Sequence, residues 1–270
     1  MNYVEANGIR FAYLEEGEGP LVLLMHGFPD TAHTWDDILP RIAAKGYRAV
    51  APFTRGYHPT EVPLQDADAK TLGQDVTALI DALGGGDPAI VIAHDWGASA
   101  AYTAASLAPE KISKLFLLAI PHPAAIKPSL GLLWSVRHFF AYKLPGAPAR
   151  FAKDDFAALE EIYARWSPAW TPDKSEFDAA RASFSNRASL EAAFGYYRQL
   201  SLKIPKYLFN KIDIPTVCFS GTDDPAVTTR DYEKARRMFT SDYTVEEMGG
   251  GHFLHREHPE KFAELLLKHL

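Results

Sequence analysis

The sequence predicts an α/β protein: a mostly parallel sheet with helices on both faces and one inserted all-helical cap. Three observations predict it. Strand-length apolar runs alternate with helix-length stretches along most of the chain, the rhythm of a parallel sheet closed by crossover helices. Several of the runs are apolar throughout, as strands buried on both faces must be. One span of roughly 90 residues drops the strands and keeps only helical pattern.

Met1 to Gly17 reads as strand, turn and strand, with neither a basic leader nor an apolar signal core. Further strands are expected at Leu21–Met25, Tyr47–Pro52, Ile90–Ala93, Leu115–Ile120, Thr216–Phe219 and Tyr243–Met248. Helices are expected at Ile38–Lys45, Lys70–Leu83, Ala98–Leu107, Arg230–Phe239 and Pro259–Leu267. Between Pro121 and Ile212 the pattern is aromatic-rich, helical and punctuated by prolines, with an interruption at Ala164–Asp173. Long insertions in α/β units usually serve a site, so residues 1–120 and 213–270 are read as the core and 121–212 as a lid.

Composition narrows the function classes. Apolar residues make up 47% of the 270 and charged residues 23%, the balance of a globular chain with a sizeable core. The net charge of -6 comes without a basic cluster, so neither nucleic acid nor an anionic membrane surface is an expected partner. No apolar run approaches the roughly 18–20 residues of a membrane span. The single cysteine, Cys218, lies in an apolar run, cannot form an intrachain disulfide and suits a reducing cytoplasm. A small molecule is the expected ligand, and the assembly is left open, with a homodimer as the partner it allows.

The chemistry gathers at turns. Ile90 to Ala98 runs from strand into helix through one sharp turn at Asp95, with Ala93 and Gly97 two residues to either side. A strained elbow of this kind presents its central side chain and crowds its neighbours, which must be small. Asp is also a favoured helix N-cap, so the turn alone does not decide between cap and nucleophile. Its company favours the nucleophile. Upstream, His26-Gly27-Phe28-Pro29 follows a strand, and the amides of Phe28 and Trp96 can converge there as an oxyanion hole. A plain tight turn would use the same residues, with His26 as an orienting hydrogen-bond partner. Downstream, Gly221-Thr222-Asp223-Asp224-Pro225 and Gly249-Gly250-Gly251-His252-Phe253 each follow a strand. His252 on a glycine loop has no packing periodicity to explain it and is read as a base oriented by Asp224, with Asp223 capping the turn.

Together HGFP, AHDWGA, GTDDP and GGGHFLHREHP resemble the epoxide hydrolase branch of the α/β-hydrolase superfamily, over nearly the whole chain. The resemblance implies two lid side chains that donate to the epoxide oxygen, commonly both tyrosines. Phe194-Gly195-Tyr196-Tyr197-Arg198 looks like the family's second donor motif and gives that role to Tyr197, although Leu190, Phe194 and Tyr197 also share one packing face. Counting back from Leu144-Pro145, the first donor falls on His138, a departure that resembles a smaller His/Tyr subgroup; an ordinary polar residue at the lid edge is the other reading. Phe53 stands where many relatives carry Asp.

The implied reaction needs no metal or organic cofactor. A carboxylate is ionised at neutral pH and suits attack on a saturated carbon, here of an apolar epoxide. The ester on Asp95 would then be hydrolysed by water activated by His252, releasing a vicinal diol. His94, abutting the nucleophile, receives no role. A haloalkane dehalogenase would use the same Asp95 and His252 but needs two N–H donors for halide, with Trp134 the candidate second donor because Phe28 cannot serve. A hydrolase-fold receptor that turns over nothing is the reading from a different class.

Overall fold

The computed structural model describes residues 1–126, 134, 136–201 and 203–270. Eight strands form one sheet: β1 Asn2–Ala6, β2 Ile9–Glu16, β3 Leu21–Met25, β4 Arg48–Pro52, β5 Ala89–His94, β6 Ile112–Leu118, β7 Thr216–Gly221 and β8 Tyr243–Met248, in the order β1-β2-β4-β3-β5-β6-β7-β8. The first two pairings, β1 with β2 and β2 with β4, are antiparallel; every later one is parallel. β3 is buried along its whole length, which explains its unbroken Leu-Val-Leu-Leu-Met run. β6 begins three residues before its apolar run, because Ser113 and Lys114 lie at the less buried end of the strand.

Core helices are α1 Leu39–Ala43, α2 Ala69–Leu83 and α3 Trp96–Leu107. Asp68 caps α2 by accepting from the Thr71 amide, and Leu72, Val76, Leu79 and Ile80 form its buried stripe. Between β6 and β7 the described elements are all helical: α4 Arg137–Tyr142, α5 Ala147–Phe151, α6 Lys153–Trp166, α7 Asp178–Ser185 and α8 Arg187–Gln199, with short 3-10 turns. The interruption expected at Ala164–Asp173 begins three residues later, because α6 runs through Trp166; from Ser167 to Asp173 the chain is irregular, and a turn follows at Lys174–Phe177. The expected helix Arg230–Phe239 is split into α9 Thr229–Ala235 and a 3-10 turn at Arg236–Met238. α10 Leu254–Glu257 and α11 Pro259–His269 complete the chain.

The sheet order sets the site. From β3 the chain steps outward to β4, then returns to place β5 on the other side of β3. Loops leaving the C-terminal ends of β3 and β5 therefore diverge, opening the crevice where doubly wound sheets bind ligands. His26-Gly27-Phe28-Pro29 leaves one end and Asp95 the other.

Candidate active site

Asp95 sits between β5 and α3 with φ 51° and ψ -118°, a conformation disfavoured for any residue with a Cβ. Its side chain makes no capping hydrogen bond to α3. Instead Oδ1 accepts from the Phe28 amide at 2.8 Å. The fit allows no larger neighbours: a Cβ on Gly27 would lie 2.4 Å from Asp95 Oδ1, and one on Gly97 would lie 2.4 Å from the Met25 carbonyl oxygen. The Trp96 amide opens α3, where an N–H has no acceptor within its own helix, and that nitrogen would lie 2.7 Å from the same Gly27 Cβ.

His26 braces this loop from behind. Its Nε2 accepts from the Thr54 amide at 2.9 Å, so the hydrogen is on Nδ1, which donates to the Gly27 carbonyl at 3.0 Å. Burial keeps the ring neutral, its pKa down at about 4. The Phe28–Pro29 peptide is cis.

The loops after β7 and β8 bring the other two groups. His252 Nε2 lies 3.5 Å from Asp95 Oδ2, and its Nδ1 lies 3.3 Å from Asp224 Oδ2. Asp224 Oδ1 is held by the Ala226 amide at 2.7 Å. Asp223 is exposed and faces elsewhere, its amide donating to the Gly250 carbonyl at 2.9 Å. All three charged groups are largely buried. Burial alone would pull His252 down, but hydrogen bonds and charge from Asp224 and Asp95 override it and raise its pKa to about 10. Asp95 is pushed up by burial and brought below the ordinary carboxylate range by His252 and the Phe28 amide. The resting arrangement is an imidazolium between two carboxylates.

Tyr197 reaches the site because α8 is docked on the core by its neighbours. Arg198 forms a fork on Asp66 at 2.7 and 2.8 Å, the Tyr196 hydroxyl donates to the Arg55 carbonyl at 2.6 Å, and Gly195 lets Asp66 approach where a Cβ would sit 2.4 Å from Oδ1. The Tyr197 ring is fully buried, 5.3 Å from both Phe28 and Trp96, edge-on to each. Its hydroxyl has no hydrogen-bond partner among the described residues. Burial first, and then the charge of Asp95, hold its pKa well above 10, while the neighbouring Trp96 indole N–H, a potential donor to it, pulls the other way. His138 on α4 is buried, its ring 6.1 Å from Tyr197 and 4.8 Å from Trp166.

Four residues that sequence reasoning passed over support this group. The His252 amide donates to the Trp166 carbonyl at 2.9 Å, and the Trp166 ring lies 4.9 Å from the imidazole. Ser167 bonds both the Phe253 amide and Glu257, and Glu257 accepts from the Gly251 amide at 2.8 Å. A Cβ on Gly251 would fall 2.5 Å from the Trp166 carbonyl oxygen, so the end of α6 clamps the histidine loop. His94 donates from Nε2 to the His252 carbonyl at 2.9 Å. Most of these interactions join segments distant in sequence, so no local pattern records them.

Asp30, His94 and His255 are buried together, with potential ligand atoms within 4.8 Å of one another. Asp30 is already taken: Arg256 and the Tyr163 hydroxyl donate to one oxygen and Thr34 to the other at 3.0 Å. A guanidinium on the shared carboxylate makes this a poor cation site and a good tie between the β3 loop, α10 and α6. Trp134, the halide donor a dehalogenase would need, is 69% exposed.

Residues 20–259 match the α/β hydrolase fold family. Over 99% of its length the chain is 27% identical to AB hydrolase superfamily protein YfhM of Bacillus subtilis, covering 96% of that protein. It is also 27% identical, with the same coverages of 99% and 96%, to Epoxide hydrolase A of Mycobacterium tuberculosis. Its fold is similar to a Bacillus megaterium epoxide hydrolase solved with an inhibitor, with a TM-score of 0.87, 22% identity and 99% of each chain covered. Epoxide hydrolase VrEH1 of Vigna radiata aligns with a TM-score of 0.83 at 27% identity over 99% of this chain and 96% of that one. No helix among the described residues is long and apolar enough to cross a membrane.

Proposed function

We propose that this chain, which belongs to the α/β hydrolase fold family, is an epoxide hydrolase that opens a small epoxide to a vicinal diol through an ester on Asp95. The observation that carries the reading is a carboxylate at the strained elbow whose charge acts on a buried tyrosine hydroxyl that makes no hydrogen bond among the described residues. Relatives named as epoxide hydrolases along the full chain support it.

The two carboxylate oxygens divide the work. Oδ1, held by the Phe28 amide, is the future ester carbonyl, and Oδ2 is the nucleophile. Oδ2 attacks one epoxide carbon, the ring C–O bond breaks, and Tyr197 gives its proton to the departing oxygen, with His138 as second donor. Esterification removes the charge of Asp95, so His252 loses one of the two carboxylates that hold its proton, and that proton passes to the Tyr197 phenolate left by ring opening. Once neutral, and oriented by Asp224, it takes a proton from water as that water attacks the ester carbonyl carbon. Oδ1 then carries the negative charge between the Phe28 and Trp96 amides; collapse breaks the Cγ–Oδ2 bond, the diol leaves with Oδ2 and the second proton of the attacking water, and the water oxygen completes the Asp95 carboxylate beside the protonated His252. His26, Gly27 and Pro29 shape the oxyanion loop, and residues 121–212 act as a cap that excludes water from the first step.

The test pairs substrates. Protein is incubated with styrene oxide and with 1-bromobutane, and diol and bromide are measured. Diol without bromide is the expected result; bromide without diol would make the protein a dehalogenase. Neither product, across a panel of alkyl and aryl epoxides, would refute the reading in favour of a receptor. A single turnover in heavy-oxygen water should label Asp95 and leave the diol unlabelled, because water attacks the carbonyl carbon; label in the first-turnover diol would rule out the ester.

A further inference from the structure

A cavity of about 510 Å³ opens between α4, α5 and α6. His138, Tyr142 and Phe151 form its inner wall. Tyr142 and Phe151 rest directly on Phe28, with ring centroids at 5.6 and 5.5 Å, and Tyr142 lies 5.0 Å from Tyr197. One layer of rings therefore separates the cavity from the proposed donor and the oxyanion loop. The more exposed lining carries three guanidinium groups, Arg137, Arg150 and Arg165, against a single acid, Glu161.

Among the described residues those arginines have no carboxylate partners. Arg137 stacks on Trp134 at 4.3 Å and donates to its carbonyl at 2.6 Å, and Arg150 donates to the Pro145 carbonyl at 3.0 Å. Arg165 makes no ion pair or hydrogen bond among the described residues. Elsewhere Arg41, Arg48, Arg55, Arg198 and Arg256 each meet a carboxylate. Other arginines, such as Arg187 and Arg230, also lack a carboxylate partner among the described residues; what sets Arg137, Arg150 and Arg165 apart is that all three line one cavity. Burial raises the pKa of the Tyr142 phenol, and Arg165 and Glu161 then act on it in opposite directions, lowering and raising it respectively, so the charge faces the inner wall.

We propose that this cavity binds the carboxylate of an amphiphilic epoxide, whose apolar body passes the ring layer to Asp95. A planar guanidinium matches a carboxylate in a two-bond fork. The apolar lining of Ala147, Ala158 and Ile162 suits the adjoining hydrocarbon, and the volume lies in the range of small-ligand sites. The inference rests on the epoxide hydrolase reading for the reacting group but not for the anion.

Binding decides it without turnover. Octanoate and octanamide, equal in size and unlike in charge, are titrated calorimetrically into the protein at low salt. Octanoate should bind about tenfold tighter or more. The preference should shrink at about 0.5 M salt, fall toward parity in Arg150→Met/Arg165→Met, and survive in part in Arg165→Lys. Equal affinities in the natural protein, or a preference that the folded double variant retains, would overturn the proposal. In parallel, diol is measured from an epoxide with a terminal carboxylate and from its methyl ester; faster turnover of the carboxylate supports the inference. An octanoate preference with no diol from either would remove the epoxide reading and leave the anion site standing.

Discussion

Replacing Tyr197 by Phe removes one oxygen and keeps every ring neighbour, so it separates what the hydroxyl does for stability from what it does for catalysis. The ring is fully buried against Phe28, Trp96 and Tyr142, and the hydroxyl has no hydrogen-bond partner among the described residues. A buried hydroxyl left unsatisfied costs about 1–3 kcal/mol. The oxygen's own dispersion attraction to its surroundings offsets part of that, leaving a net gain of ~1 kcal/mol in Tyr197→Phe, or about 2–4 °C in Tm for a chain of this size. Activity should move the opposite way. Loss of one donor to a developing oxyanion costs about 10²–10³ in rate, roughly 3–4 kcal/mol of barrier. Calorimetry measures the first effect, and quenched-flow mass spectrometry of the Asp95 ester measures the second. A stability loss of about 1 kcal/mol or more would mean that the hydroxyl is bonded in the free protein, and ester formation at the natural rate would remove Tyr197 from the chemistry.

His252→Gln should accumulate the Asp95 ester, seen as a protein mass increase equal to the epoxide; the natural protein should accumulate more ester at pH 5 than at pH 8, because free Asp95 is ionised at both while in the ester His252, no longer held by the Asp95 charge, keeps its proton at the lower pH and gives it up more readily at the higher. Equal ester levels at the two pH values would contradict the division of roles. Gly27→Ala puts a Cβ 2.4 Å from Asp95 Oδ1 and 2.5 Å from Asp95 Cβ, so ester formation should slow by about 10²-fold in single turnovers; an unchanged rate would show that the elbow tolerates displacement. Burial holds His26, His94 and His122 neutral down to about 4. Between there and the ordinary 6.5 the unfolded chain binds protons that the folded one refuses, so stability falls on acidification by about 1.4 kcal/mol per pH unit for each histidine. His252 acts with the opposite sign: its contribution is full below 6.5 and is lost as pH rises toward about 10. The urea midpoint should therefore peak near neutrality, and a midpoint that holds or rises from pH 7 to pH 5 would refute neutral burial of these rings.

Much of the fold was legible because parallel strands buried on both faces leave continuous apolar runs, as in β3 and β5, and because the buried stripe of α2 repeats at helical spacing. Strand ends were harder: Ser113 and Lys114 belong to β6 but are polar, since the strand's outer end is less buried. Asp95 was legible for a related reason. A strained turn can accept only small flanking residues, and Ala93 and Gly97 record that demand in the sequence itself.

What the sequence by itself determined was the inventory of chemistry and its order along the chain: HGFP, Asp95, Tyr197, Asp224, His252. Tertiary structure alone decided the distances and hence the charge states. Asp223 and Asp224 are adjacent in sequence, yet the turn after β7 buries one beside His252 and leaves the other in solvent. Trp166 and Ser167 fell in an apparent interruption of helical pattern, and only the packing of α6 against the histidine loop gives them a role. Arg137, Arg150 and Arg165 are spread along the cap sequence, and only the packing of three helices places them around one cavity. The physical reason is common to all three cases: periodicity and turn chemistry are local, whereas burial and charge pairing depend on which distant segments meet.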